Sequence, residues 1–255
     1  MEEIRQPLLR MENINKSFSH VQALSGVTIE LQHGEVLGLV GDNGAGKSTL
    51  IKILSGATLA DEGKFFLDGK EVKIHNPGDA RRLGIETIYQ YFALVDNQPI
   101  YINLFMGRPR TKPMLGGLIQ RLDKRRMEVE SREILEGLKI KIPSMKEFVK
   151  NLSGGQKQAV AIGRAVFFNP KILVMDEPTS GLAVKEVDKI HEIIKDFKQK
   201  DVSVIFITHR LQSIFSVCDR VIVLRGGKVV ENRMISETTL EEVVRAMFGL
   251  SRRED

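Results

Sequence analysis

Two glycine-rich stretches and one pair of carboxylates carry the residue types and spacings that could do chemistry. The first stretch, Gly41, Asp42, Asn43, Gly44, Ala45, Gly46, Lys47, Ser48 and Thr49, fits the spacing GxxxxGK(S/T). An apolar run, EVLGLVG at 35–41, precedes it, and a helical pattern, KSTLIKILSG at 47–56, follows. In such a loop glycines let backbone N–H groups curl around phosphates, and the helix N-terminus adds positive potential. Lys47 then reaches the terminal phosphates, and the Ser48 hydroxyl can hold Mg²⁺. An ordinary strand-to-helix turn has no need of that full pattern.

The carboxylates follow a second apolar run, KILVMD at 171–176, which ends in Asp176 with Glu177 directly after it. Beside a phosphate loop, Asp176 fits the strand-end carboxylate that helps hold Mg²⁺, and Glu177 is placed to orient or deprotonate an attacking water. The pair favours hydrolysis over transfer to another acceptor. Asp-Glu-Pro is also a helix start, so a plain capping role stays open.

The other glycine-rich stretch is NLSGGQKQAV at 151–160. Ser153 and Gln156 stand at capping-box spacing, which is a purely structural explanation. Gly154 and Gly155 in the first turn nevertheless cost roughly 1 kcal/mol each relative to alanine. Glycines at a helix start let an anion approach the exposed N–H groups, so the stretch also reads as a second phosphate receptor, one whose ligand the sequence does not name.

Short β-rich runs alternating with amphipathic helical patterns must position these groups. EVLGLVG, KILVMDE, VSVIFITH and DRVIVLRGG are separated by helical segments such as VKEVDKIHEIIKDFKQK, which predicts an α/β domain with a mainly parallel sheet. LLRMENINKSF, GVTIELQ and KFFLDGKEV alternate instead, as an antiparallel β edge would. From about Tyr91 to Ala165 helical signals dominate, which predicts a helical insertion. The final SRRED reads as a solvated tail.

The 255 residues are 42% hydrophobic, ample for a core, but no run approaches the roughly 18 to 20 apolar residues that span a bilayer. A chain soluble by itself is expected. The start, MEEIRQPLLR, lacks a basic segment followed by an apolar one, so no secretory signal is expected. One cysteine, Cys218, rules out an intrachain disulfide, suits the cytoplasm and is expected as a buried small hydrophobe. The net charge of +5 comes from basic residues interleaved with acids. Its densest cluster, Arg121, Lys124, Arg125 and Arg126, opens an amphipathic stretch and reads as a solvated face, so no nucleic-acid partner is expected.

LSGGQ at 152–156, the phosphate loop and VMDEP at 174–178 together resemble the ATP-binding cassette (ABC) ATPases, and the likeness runs from INKSF to VLRGGKVV. The resemblance implies one nucleotide-binding domain over 1–255: a P-loop NTPase core at about 7–90 and 166–250, and a helical subdomain at about 91–165 that carries the signature. It implies ATP and Mg²⁺ as ligands, with the loop 41–49 on the phosphates. It also implies a head-to-tail dimer in which Ser153, Gly154, Gly155 and Gln156 of one copy, or of a paralogue, close over the γ-phosphate held by the other. Gln90 matches the glutamine that contacts Mg²⁺ and the attacking water. His209 matches the switch histidine at the γ-phosphate, although alone a strand-end histidine reads as structural. Phe18 matches the aromatic that stacks on adenine, and a plain core role is its alternative. Two positions depart from the family pattern. Ala183 stands where aspartate is common, which removes that carboxylate's cross-subunit contact, and Gly163 lies inside the helix after the signature, where it is expected to mark close packing.

Within the family, LGIETIYQ, INLFMGR and LSGGQKQAVAIGRAV look most like the ATPase subunits of bacterial ribose, xylose and fructose importers. That likeness implies two membrane permease subunits as partners, an extracytoplasmic solute-binding protein acting indirectly, and a peripheral place on the cytoplasmic face of the membrane. Two other readings stay open. One is transport of nucleosides or another small solute; the other is a non-transport cassette acting on nucleic acid or ribosomes, though the long coiled coil or fused second cassette usual there is not in this sequence.

Overall fold

A computed structural model of the chain describes residues 6–90, 93–138, 140 and 142–250. Residues 1–5 and the SRRED tail, with the expectations attached to them, lie outside that range. From the N-terminal side, β1 (Leu9–Phe18) and β2 (Val21–Leu31) form a hairpin, and β3 (Val36–Val40) runs through the phosphate loop into α1 (Lys47–Leu54). A second hairpin, β4 (Glu62–Leu67) and β5 (Lys70–Val72), is followed by α2 (Pro77–Arg82) and β6 (Ile85–Ile88). Next come α3 (Ile100–Leu104), β7 (Thr111–Met114), β8 (Ile119–Leu122), α4 (Lys124–Gly137) and α5 (Gly154–Val166). The remainder is β9 (Ile172–Asp176), α6 (Val184–Gln199), β10 (Ser203–Ile207), α7 (Leu211–Val217), β11 (Arg220–Arg225), β12 (Lys228–Met234) and α8 (Leu240–Phe248).

Two sheets organise these elements. The larger has the order β12-β11-β3-β10-β9-β6, with every pairing parallel except β11 with β12. The smaller is antiparallel in the order β2-β1-β4-β5. The predicted mainly parallel sheet and antiparallel edge are both present. Strands β3 and β10 are buried at every position because helices or the second sheet cover both faces, and this is why they read as unbroken apolar runs. On β3 the faces separate residue by residue: Leu37 and Leu39 pack in one cluster with Met11, Leu50 and Ile53, while Val36 and Val40 pack in another with Ile190, Ile194 and Ile214. Cys218 is buried in that second cluster, and burial pushes its thiol pKa up.

A third cluster draws Ile100, Leu104, Phe105, Met127, Leu135 and Val160 from α3, α4, α5 and the turn after α3. Helix α5 also contributes Ala161, Ile162 and Ala165 to the second cluster, so it joins the helical part to the sheet. Gly163 sits at this junction. A Cβ there would meet Leu104, Ile134 and Leu135 side chains at 3.2 Å, which is the close packing expected of it. Among the described residues no helix is long and apolar enough to cross a membrane.

One departure from the expectation lies in this same stretch, where β7 and β8 form a hairpin rather than helix. All eight of its strand residues are exposed, so it has no buried face and none of the in-out alternation that reveals a half-buried strand. Arg121 ends up on β8, while Lys124, Arg125 and Arg126 open α4, and all four are exposed as a solvated face requires.

The two sheets are tied by a buried ion pair that spans most of the sequence. Arg220 donates from Nε to Glu35 Oε1 at 2.7 Å and from Nη2 to Glu35 Oε2 at 3.0 Å, and Nη2 also reaches the Glu30 carbonyl at 2.7 Å. Glu35 also accepts the Gln32 N–H at 2.7 Å, so each charge is surrounded by partners. Removing one member of such a pair strands the other. Arg220→Ala is expected to lower unfolding stability by about 3 to 5 kcal/mol in a denaturant titration. A loss below about 1 kcal/mol, the scale of an exposed pair, would show that the bridge does not hold the sheets together.

Candidate functional site

Parallel strands end on the same edge of their sheet, and ligands in such folds lie beyond those carboxyl ends. Here the loop 41–49 follows β3, Gln90 lies two residues beyond β6, Asp176 closes β9 with Glu177 next, and His209 lies two residues beyond β10. All of them line one cavity of about 830 Å³. Four strands thus gather groups from positions 41 to 209.

The loop's shape depends on glycine at its tightest points. Gly46 takes the left-handed conformation at φ 106° just before α1, and a Cβ there would stand 2.7 Å from the Ala23 carbonyl oxygen. A Cβ on Gly41 would collide with the carbonyl of Leu224 on β11. Inside the loop, Lys47 Nζ donates to the Gly41 carbonyl at 2.6 Å and the Asp42 carbonyl at 3.0 Å. Burial lowers the Lys47 pKa, while Glu177, Asp176 and Asp42 act in the opposite direction.

Asp176 shows the complementary shift. Burial raises its pKa first and the neighbouring Glu177 carboxylate adds to it, with Lys47 and Lys52 opposing. Two partly buried carboxylates are a poor neighbourhood for more negative charge unless a cation joins them, and the donor set suits Mg²⁺. Among the described residues no group of three or more His, Cys, Asp or Glu could hold a metal by itself. A cation here would take Ser48, Asp176 and Gln90 from the protein and its other ligands from phosphate and water, the habit of Mg²⁺.

Glu177 has φ 51°, a left-handed backbone uncommon outside glycine, asparagine and aspartate, held by its N–H to the Ile207 carbonyl at 2.9 Å. That turn brings Glu177 Oε2 to 2.8 Å from His209 Nδ1. The two side chains are therefore partners, a link that neither residue's neighbours in sequence announce. Before Gln90, the Tyr89 hydroxyl meets Ser55 Oγ at 2.8 Å and fixes the end of this segment to the turn after α1.

Five expected members, Phe18 and the four residues 153–156, stand apart from the cavity wall. Phe18 ends β1 and is 48% exposed, with Lys16 Nζ 5.4 Å from its ring centre. It is not a core residue, and its cross-strand partner Val21 lines the cavity where Phe18 does not. Ser153, Gly154, Gly155 and Gln156 open α5 and do not line the cavity either. The capping box is formed: the Ser153 N–H donates to Gln156 Oε1 at 3.0 Å and the Gln156 N–H to Ser153 Oγ at 3.3 Å. Gly155 has a partial reason within the chain, since a Cβ there would push aside the end of the flexible Glu186 side chain, which accepts the Ala183 N–H at 3.1 Å. Gly154 has none, because its Cβ would make only an ordinary contact with Leu182 at 3.9 Å. The helix-propensity cost at Gly154 is unexplained by its own chain and fits an outside ligand.

The motifs did not reveal the rest of the wall: Val21, Gln22 and Ala23 of β2, Ile207 of β10, and Met247 and Phe248 of α8. Val21 is foreshadowed only by its place beside Phe18, and the two α8 residues carry no signal of spacing or charge.

Known proteins resemble this chain in sequence and fold. The sequence profile of the family described as ABC transporter matches residues 24–180. The chain is 46% identical over 244 residues to the xylose/arabinose import ATP-binding protein XylG of Sulfolobus acidocaldarius, covering 96% of this chain and 95% of that one. It is 40% identical over 244 residues to the ribose import ATP-binding protein RbsA of Clostridium tetani, covering 96% of this chain and 47% of the relative, and so spans about half the length of that protein. Among solved structures, the ADP conformation of MJ1267, an ATP-binding cassette of an ABC transporter, matches with a TM-score of 0.81 and 32% identity over 96% of this chain and 99% of that one. A nucleotide-free ATP-binding cassette from an ABC transporter matches with a TM-score of 0.81 and 31% identity, over 94% and 98% of the two chains. The profile match and the relative of nearly equal length establish that this chain belongs to the ABC transporter family.

Proposed function

We propose that the chain is the ATP-hydrolysing subunit of an ABC importer and that its cargo is a monosaccharide of the xylose, arabinose or ribose kind. The observation that carries the reading is the meeting of Lys47, Ser48, Asp176 and Glu177 in one cavity at the strand ends. The cargo rests on likeness to proteins named for import of those sugars.

On this reading the 41–49 loop wraps the phosphates of ATP with backbone N–H groups and Lys47 neutralises the outermost ones. Ser48 and Asp176, with Gln90 at the edge, hold Mg²⁺, which when bound draws charge from the phosphates and fixes their orientation. Glu177 orients a water against the γ-phosphorus and accepts its proton as the bond to the bridging oxygen breaks. His209 holds the Glu177 carboxylate through its 2.8 Å contact and turns toward the γ-phosphate. Phe18 stands near the adenine end.

Ser153, Gly154, Gly155 and Gln156 serve the nucleotide of a second copy or a paralogue. Their absence from the chain's own cavity and the unexplained glycine at 154 support this assignment. Residues 91–165 act as a helical subdomain, a division supported by the separate buried cluster of α3, α4 and α5. This part, with the Gln90 segment, meets the permease subunits at the cytoplasmic face of the membrane, while the solute-binding protein acts from the other side. ATP closes the pair of cassettes and turns the permease; cleavage removes the shared ligand and resets it.

Glu177→Gln keeps the size and shape of the side chain but replaces the carboxylate with a carboxamide, which cannot accept the proton. Turnover should fall by roughly 10² to 10⁴ fold, and the variant should elute as a dimer in size exclusion with MgATP. A monomer at saturating MgATP that still hydrolyses normally would refute the assignment. Lys47→Ala should weaken ATP binding by about 1.5 to 3 kcal/mol, roughly 10- to 150-fold, in calorimetry. An unchanged dissociation constant would mean that the loop does not receive the phosphates.

A further inference from the structure

Far from the cavity in function, the β7–β8 hairpin forms a two-stranded sheet of its own with every strand residue exposed. Such an isolated pair is marginal in water. Its turn runs through Met114, Leu115, Gly116, Gly117, Leu118 and Ile119, a stretch without one polar side chain. Leu118 is 89% exposed and Leu115 65%. An exposed apolar run of that length is a liability on a surface that meets only water, and it marks a contact site. The base of the hairpin is firmly held. The Asp123 N–H donates to the Arg110 carbonyl at 2.9 Å, and the Asp123 side chain caps α4. The Arg110 guanidinium pairs with Glu130 at 2.9 Å and lies 5.0 Å from the Phe167 ring centre. A fixed base thus presents an apolar tip.

Charge is arranged around that tip. Between residues 108 and 126 the chain has seven Lys or Arg and a single acid, Asp123. Arg108 pairs with Glu86, and Arg110 and Arg126 pair with Glu130. Among the described residues Lys112, Arg121, Lys124 and Arg125 make no ion pair. Lys112 stands directly opposite Arg121, and Met114 opposite Ile119 two residues nearer the turn. Because side chains alternate along a strand, these four share one face, with the cations about 7 Å behind the apolar pair. Like charges opposed across a ladder repel, and an anion between them relieves the repulsion. An apolar end backed by cations at this depth matches a bilayer surface, where interfacial segments sink their apolar face roughly 5 to 10 Å below the headgroups. The cytoplasmic leaflet is anionic. The hairpin has no aromatic ring to stack on a base, which sets it apart from a nucleic-acid face. We propose that the β7–β8 hairpin is a lipid-contacting element: its tip, residues 114–119, enters an anionic membrane surface while Lys112 and Arg121 lie on the headgroup phosphates. The inference rests on the reading above that places the chain at the cytoplasmic face of the membrane.

Co-sedimentation of the full chain with protein-free vesicles tests this. The chain should bind vesicles of phosphatidylglycerol and phosphatidylcholine in equal parts, and bind phosphatidylcholine alone more weakly. Lys112→Gln combined with Arg121→Gln should lower partitioning into the mixed vesicles about 10- to 30-fold, and Leu115→Ser combined with Leu118→Ser about 10-fold or more. The chain contains no tryptophan, so Leu118→Trp places a single indole at the tip, whose emission should move to shorter wavelength when mixed vesicles are added. Any of four results would overturn the inference: no binding of the unaltered chain to the mixed vesicles, undiminished binding by either double variant, an indole emission that stays as in water, or binding only to membranes that carry a permease, which would make the hairpin a protein-docking face. All the altered residues are exposed and none lines the cavity, so ATP hydrolysis in solution should be unchanged. Vesicle binding lost with hydrolysis intact in the unaltered chain would sink this inference and leave the nucleotide reading standing.

Discussion

The register of the parallel sheet is the constraint on which the site depends. The 41–49 loop, the adjacent pair Asp176 and Glu177, and His209 lie on three separate segments, and no local interaction could assemble them. The pairings of Ile207 with Asp176 and of Ile207 with Leu39 put the ends of β9, β10 and β3 at one level, and Met175 opposite Ile88 brings β6 there as well. A one-residue slip would turn every side chain on a strand to the other face and exchange the two cores. The apolar side chains that fill those cores therefore also fix where the chemistry stands.

Electrostatics inside the cavity follows from that alignment. Lys47 and Asp176 are both displaced by burial toward their neutral forms, and each is opposed by the other's charge. Glu177 pulls both values upward, opposing the burial shift of Lys47 and adding to that of Asp176. A cavity built this way holds an ammonium and two carboxylates at close quarters, a balance suited to a highly anionic ligand that arrives with a cation.

Much of this was legible in the sequence where the information is contiguous. The loop 41–49, the strand-end pair Asp176 and Glu177 and the capping box at Ser153 are each fixed by neighbours a few residues away, so spacing alone reveals them. Buried strands such as VLGLV announce themselves because both faces are covered. Contacts made by distant segments were not legible. Nothing near Glu35 foretells Arg220, nothing near Glu177 foretells a bond to His209, and Phe248 reaches the cavity from the far end of the sequence. The β7–β8 hairpin escaped for the opposite reason, since a strand pair with no buried face leaves no alternating pattern to read.

The carboxylate of Glu186 serves two helix starts at once. One oxygen accepts the N–H of Ala183 at the entrance to α6, and the other occupies the space that a side chain at position 155 would need. Any substitution at Gly155 therefore displaces a cap on the helix that follows the β9 carboxylates, and its phenotype mixes an intrachain disturbance with any lost contact across subunits. Position 154, one residue earlier and clear of that carboxylate, is where the two effects come apart.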